Sequence, residues 1–95
     1  MMNEIQQLRK KVDKVDEQIL NSLNERAKIC RAIGLAKKKE GMQIRDTSRE
    51  NEIYKRVKEK AVEFQLNPLQ VEAVYREIVN MCSVVQEQKD LLTES

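Results

Sequence analysis

Between Ile5 and Ala36, apolar side chains recur at intervals of three and four. Ile5, Leu8, Val12, Val15, Ile19, Ile29, Ile33 and Ala36 fall on one seam, with Leu23 and Cys30 at its edge. That spacing marks an amphipathic helix or a coiled coil. It predicts one helix over about residues 3–40, on the order of 55 Å long at 1.5 Å per residue. A compact domain of this chain length has a radius of gyration of only about 12 Å. The helix therefore outruns its own domain, and the remaining residues cannot cover the whole seam. The same seam on a second copy is the cheapest cover, so a homodimer is expected.

Ser22 and Arg26 interrupt the seam at core positions of the repeat. A guanidinium on an apolar seam is costly unless an anion meets it. Lys37 follows Arg26 by three helical turns and projects from nearly the same face, whereas Arg9, seventeen residues earlier, points roughly 100° away. If Arg9 serves a site near Arg26, that site belongs to the other subunit.

Gly41 is a plausible stop for the first helix, and Gln43 to Asp46 read as a short connection. Gly34 lies within the helix, where glycine costs about 1 kcal/mol relative to alanine, and it points to close approach of another backbone rather than a ligand. A second helix is expected to start at Asp46 or Thr47 and to run to about residue 65. With Thr47 as N-cap, Glu50 falls at N3 and completes a capping box, and Ile53, Val57, Ala61 and Phe64 form the buried stripe. Asn67 then caps a third helix with Pro68 at its first position, running to about residue 92 with Val71, Val74, Tyr75, Ile78, Met81, Cys82 and Val85 as its apolar residues. No repeat, low-complexity tract or linker divides the chain, so residues 1–95 read as one domain.

Composition narrows the class. Charged residues make up 36% of the 95 and aromatics 3%, with two Gly and one Pro, a profile of solvated helices and an all-α fold. A net charge of +2, with no like-charge block longer than Lys37 to Lys39, argues against nucleic acid and leaves a small anion as the ligand class. No segment is long and apolar enough to cross a bilayer, and the first residues carry no apolar run that could act as a signal, so a soluble cytoplasmic protein is expected. Cys30 and Cys82, far apart and without neighbouring Cys or His, read as buried free thiols in a reducing compartment.

The chain has no His, no metal-ligand spacing and no glycine-rich phosphate loop, so acid–base chemistry near neutral pH is poorly supplied. It does carry permanent donors: Arg9, Arg26, Lys37, Arg45 and Arg49, alongside Glu50, Cys82 and Gln86. Such a set can bind and polarise an anion without moving a proton. Each also has a plainer reading. Arg9 and Arg45 can sit on solvated faces, Arg26 in an interhelical ion pair, and Glu50 in a cap. Gln86 lies one turn after Cys82, so both can line one cavity.

Taken in order, Leu8-Arg9 with Val15-Asp16, Asn24-Glu25-Arg26, Ile33-Gly34-Leu35-Ala36-Lys37, Ile44-Arg45-Asp46-Thr47-Ser48-Arg49-Glu50, and Tyr75-Arg76-Glu77-Ile78 leading to Cys82 and Gln86 resemble the all-helical AroQ-type chorismate mutases. The resemblance covers essentially the whole chain. It implies three helices per chain, one very long, intertwined as a homodimer with two active sites that each draw on both subunits. It places Arg26, Lys37, Asp46, Arg49, Glu50, Cys82 and Gln86 in one site and brings Arg9 from the partner subunit.

The implied activity is the intramolecular Claisen rearrangement of chorismate to prephenate, in phenylalanine and tyrosine biosynthesis, with no cofactor and no metal. Arg9 and Arg26 would clamp the two substrate carboxylates, and Lys37 and Gln86 would donate to the ether oxygen. The position of Cys82 often carries Ser in the family; a thiol is a weaker donor, so Cys82 is read as a lining residue. Because a neutral amide needs no protonation to donate, activity is expected to vary little from about pH 5 to 9. Two alternatives stay open: an isochorismate pyruvate-lyase on the same scaffold, and a helical dimerisation module without catalysis.

Overall fold

The computed structural model describes residues 3–87, which form three helices: α1 (Glu4–Glu40), α2 (Thr47–Glu63) and α3 (Pro68–Glu87). Among the described residues there is no strand, and no helix is long and apolar enough to cross a membrane. Local chemistry sets the helix ends. Asn3 and Gln6 exchange side-chain and backbone hydrogen bonds in a capping box at the start of α1. Gly41 ends α1 in the left-handed region, at φ 68°, a conformation that glycine adopts without a Cβ clash. The Asn67 side chain accepts from the backbone N–H groups of Leu69 and Gln70, and Pro68 takes the first helical position, as the sequence suggests.

Two expectations about α2 need correction. Its N-cap is Asp46, whose carboxylate accepts from the Arg49 backbone N–H at 3.0 Å. That one-residue shift puts Arg49 at N3 and moves Glu50 out of any capping box. The helix also stops at Glu63, where Leu66 N–H donates to the Ala61 carbonyl and Gln65 adopts φ 58°, the reversal of a Schellman motif without its usual glycine. Phe64 consequently points outward and is 69% exposed, leaving Ile53, Tyr54, Val57 and Ala61 as the buried side of α2. The expected end of α3 near residue 92 lies outside the described residues.

The helices are not arranged as a closed bundle. α3 packs against α1 on one side and α2 on the other, while α1 and α2 make no helix–helix contact. Val79 of α3 joins Ile53, Tyr54 and Val57 in the buried core, with Val71 and Tyr75 packed beside them. Of the apolar residues of α3, Val74 and Met81 are exposed in the single chain. On α1, Leu23, Arg26, Ala27, Cys30 and Gly34, a stripe beside the heptad seam, lie toward α3.

The seam itself stays uncovered. Ile5 is 59% exposed and Val12 58%, and Leu8, Val15, Ile19, Ile29 and Ile33 are exposed as well. The radius of gyration is 17.0 Å, well above the roughly 12 Å of a compact domain of this size.

Cys30 and Cys82 are joined by a disulfide across the α1–α3 contact, with Cα atoms 5.5 Å apart. This overturns the reading of two free thiols. Each cysteine sits on the face its helix turns to the other, a pairing that linear separation cannot reveal.

Candidate active site

The α1–α3 contact and the N-terminal end of α2 together bound a cleft of about 70 Å³, open to solvent. From α1 come Arg26 and Lys37, three turns apart on one face. The connection supplies Ile44 and the cap residue Asp46, and α2 supplies Arg49, Glu50 and Ile53. From α3 come Val79, Cys82, Ser83 and Gln86, the i, i+3, i+4, i+7 set that shares one side of a helix. All seven residues expected to share a site therefore line one cleft. Arg9 does not join them: it is exposed on α1, and 17 residues at 1.5 Å each separate it from Arg26 by about 25 Å along one rigid helix.

Lys37 is held in place from two sides. Its ammonium donates to the carbonyl of Ile44 in the connection and, at 3.2 Å, to Oε1 of Gln86 on α3. Gln86 is buried, and its amide nitrogen donates to the sulfur of Cys82 at 3.1 Å. Gly34 explains how α3 comes so close. A Cβ built at this position would lie 3.0 Å from Cβ and Cγ of Gln86 and 3.1 Å from its Cα. The close backbone approach expected of Gly34 is present, and the residue it admits belongs to the site.

The half-buried Arg26 points one guanidinium nitrogen at the Cys30 sulfur, 3.8 Å away, so the disulfide lies beneath both Arg26 and Gln86. A bridged sulfur carries no proton and cannot donate at all, so here Cys82 can only line and accept.

The acidic residues are partly neutralised. Asp46 is committed to the α2 N-terminus. Glu50 is gripped by Arg45, for which the sequence offers both an anion-binding donor and a solvated face: Nε donates to Oε2 at 2.9 Å and Nη2 to Oε1 at 3.0 Å. The hydrogen bond and charge of Glu50 raise the Arg45 guanidinium above its ordinary value. Arg49 reaches only an exposed partner, Glu52, at 3.9 Å. The cleft is left with an excess of positive charge from Arg26, Lys37 and Arg49. Sequence reasoning missed Ser83, which is buried on the cleft wall beside Cys82, and the Ile44 carbonyl that orients Lys37. Neither has a compositional signal, since one is a small residue and the other a backbone group.

A profile of the family described as chorismate mutase type II matches residues 8–87. A bifunctional chorismate mutase/prephenate dehydratase of Aquifex aeolicus (strain VF5) is 39% identical over an alignment of 84 residues that covers 85% of this chain and 23% of that protein. The chain thus spans about a quarter of the length of this relative. A solved structure, a conserved hypothetical protein from Pyrococcus furiosus, aligns with a TM-score of 0.70 at 32% identity, covering 90% of this chain and 99% of that one.

Proposed function

This chain belongs to the chorismate mutase type II family, and we propose that it converts chorismate to prephenate in a site shared between two copies. The observation that carries this reading is the convergence of Arg26 and Lys37 from α1 with Gln86 from α3 on one cleft that is positive on balance. Chorismate is a dianion. A carboxylate seated on Arg26 satisfies a guanidinium that, among the described residues, meets the Cys30 sulfur at 3.8 Å, and charge-assisted bonds of this kind are the strong ones.

The rearrangement breaks a C–O bond as a C–C bond forms, and no proton changes hands. The site's tasks are to hold the compact conformer and to stabilise negative charge on the ether oxygen. Lys37 can donate to that oxygen from its present position. Gln86 accepts from Lys37, so for both to donate to one oxygen its amide turns over about its last bond, exchanging carbonyl for N–H. In this reading Glu50, on the cleft wall, accepts the ring hydroxyl, and Arg49, also on the wall, adds positive field.

The second carboxylate requires a further cation. Arg9 of the same chain lies too far along α1, and the open seam from Ile5 to Ile19 is suited to a second copy whose α1 would carry its own Arg9 into the cleft. The homodimer and the cytoplasmic setting belong to this proposal. Incubation with chorismate, following its consumption and the formation of prephenate, tests the activity; parallel incubation with isochorismate, following pyruvate, tests the lyase alternative. Absence of turnover with either substrate by a folded dimer leaves the dimerisation module as the reading.

A further inference from the structure

We propose that Arg45 is a positioning residue, which aims and neutralises the Glu50 carboxylate so that it can accept the substrate's ring hydroxyl. The inference rests on the role given to Glu50 above. Arg45 sits in the connection between α1 and α2 and is not itself part of the cleft lining. Its guanidinium spans both oxygens of Glu50, at 2.9 and 3.0 Å, and its remaining nitrogen, Nη1, donates to Oδ1 of Asn80 on α3 at 3.1 Å. The Glu50 side chain is only 17% exposed while that of Arg45 is 50% exposed, so the carboxylate is sheltered and the guanidinium forms its outer support.

Two physical consequences follow. A free glutamate samples several rotamers, but a fork to both oxygens fixes the plane of the carboxylate. The third bond refers that plane to α3, the helix that carries Gln86. The acceptor for the ring hydroxyl and the donor for the ether oxygen are thereby set against a single rigid element, Asn80 and Gln86 being about 9 Å apart along the axis by helical rise. The second consequence is electrostatic. A bare carboxylate beside a dianion is repelled, and the fork cancels that charge while leaving each oxygen a further lone pair for a hydroxyl. An ion pair whose cation is half exposed contributes modestly to stability, so the effect of losing it should appear more in turnover than in the fold.

The test is a double-mutant cycle on the full chain with chorismate as substrate. Arg45→Ala should lower kcat/KM by roughly ten- to thirtyfold in the native background but by less than about twofold in a Glu50→Ala background, since the two act as one unit. Asn80→Ala removes only the third tie from an exposed position, and it should give a smaller loss, about two- to fivefold, that also disappears with Glu50→Ala. An equal loss from Arg45→Ala in both backgrounds overturns the proposal, because Arg45 then acts on the substrate or the fold directly. If Glu50→Ala itself leaves turnover unchanged, the role of Glu50 fails and the proposal with it. If Glu50→Ala is impaired but Arg45→Ala is not, only the positioning role falls. Unchanged melting temperatures across the set separate these outcomes from misfolding.

Discussion

Lys37 and Gln86 are separated by 49 positions in the chain, yet Nζ of one lies 3.2 Å from Oε1 of the other. They are the only side-chain pair joining α1 directly to α3 by a hydrogen bond at the cleft among those described, and both can turn toward the same oxygen. Losing one preorganised donor in such a site costs about 3 kcal/mol, or on the order of a hundredfold in kcat. Lys37→Ala and Gln86→Ala should each show that loss with chorismate, and a loss smaller than about threefold from both would remove them from the catalytic role.

Gly34→Ala should damage the site from behind. Alanine gains up to about 1 kcal/mol of helix propensity, but its Cβ would sit 3.0 Å from Gln86, so α3 must shift. Overpacking of this kind costs about 1–3 kcal/mol. We expect a net destabilisation of about 1 kcal/mol and a kcat reduced about tenfold, since small misplacements of a positioned group are expensive. Thermal melting and steady-state kinetics on the same variant check both parts; a variant with native turnover would detach this packing from the chemistry.

Arg9→Ala and Arg26→Ala should complement one another. If Arg9 acts across the interface, a dimer formed from one of each has one doubly damaged site and one intact site. Random pairing after joint unfolding and refolding should restore roughly a quarter of native activity from two inactive proteins. Failure to recover any activity, with mixed dimers demonstrated, would show that Arg9 does not reach the partner's cleft.

The Cys30–Cys82 bridge closes a loop with a sequence separation of 52 residues. Cross-links of this span stabilise by about 2–4 kcal/mol. Reduction should therefore lower the melting temperature by on the order of 10 °C for a domain of this size. Titration of the unreduced, unfolded protein for thiols is the control: two reactive thiols would mean that the bridge does not form in solution.

Acid should weaken the outer side of the α2–α3 pair. Hydrogen bonds from Arg76 and then Lys58 hold the Glu72 carboxyl below its ordinary value. A group whose folded value is depressed contributes fully above its unfolded value, near 4.5, and the contribution is lost as pH falls through the folded value. Stability attributable to Glu72 should be constant from neutral pH down to about 5 and decline below 4.5. Glu72→Gln should flatten part of that decline in melting curves recorded from pH 7 to 3; parallel curves would assign the acid sensitivity elsewhere.

How much of this was open to reading from the chain alone depended on distance along it. The long helix, the stop at Gly41 and the Asn67–Pro68 start are local events, decided by side chains within a few positions of the backbone they satisfy, so sequence suffices. Arg26 and Lys37 share a face for the same reason, since a helix converts spacing into direction. The α2 start shows the limit: Asp46 and Thr47 are both good caps, and the difference of one residue separates a capping Glu50 from one held by Arg45.

Only the packed structure decided which stripe of α1 meets α3, because the heptad seam is the stronger apolar pattern and is left for a different surface. The same holds for the Cys30–Cys82 bridge, the Arg45–Asn80 tie and the seat of Gln86 against Gly34. Each joins side chains from different elements, and their meeting depends on the rotation and offset of one helix against another. Those are set by the sum of many weak contacts and are not written at any one position.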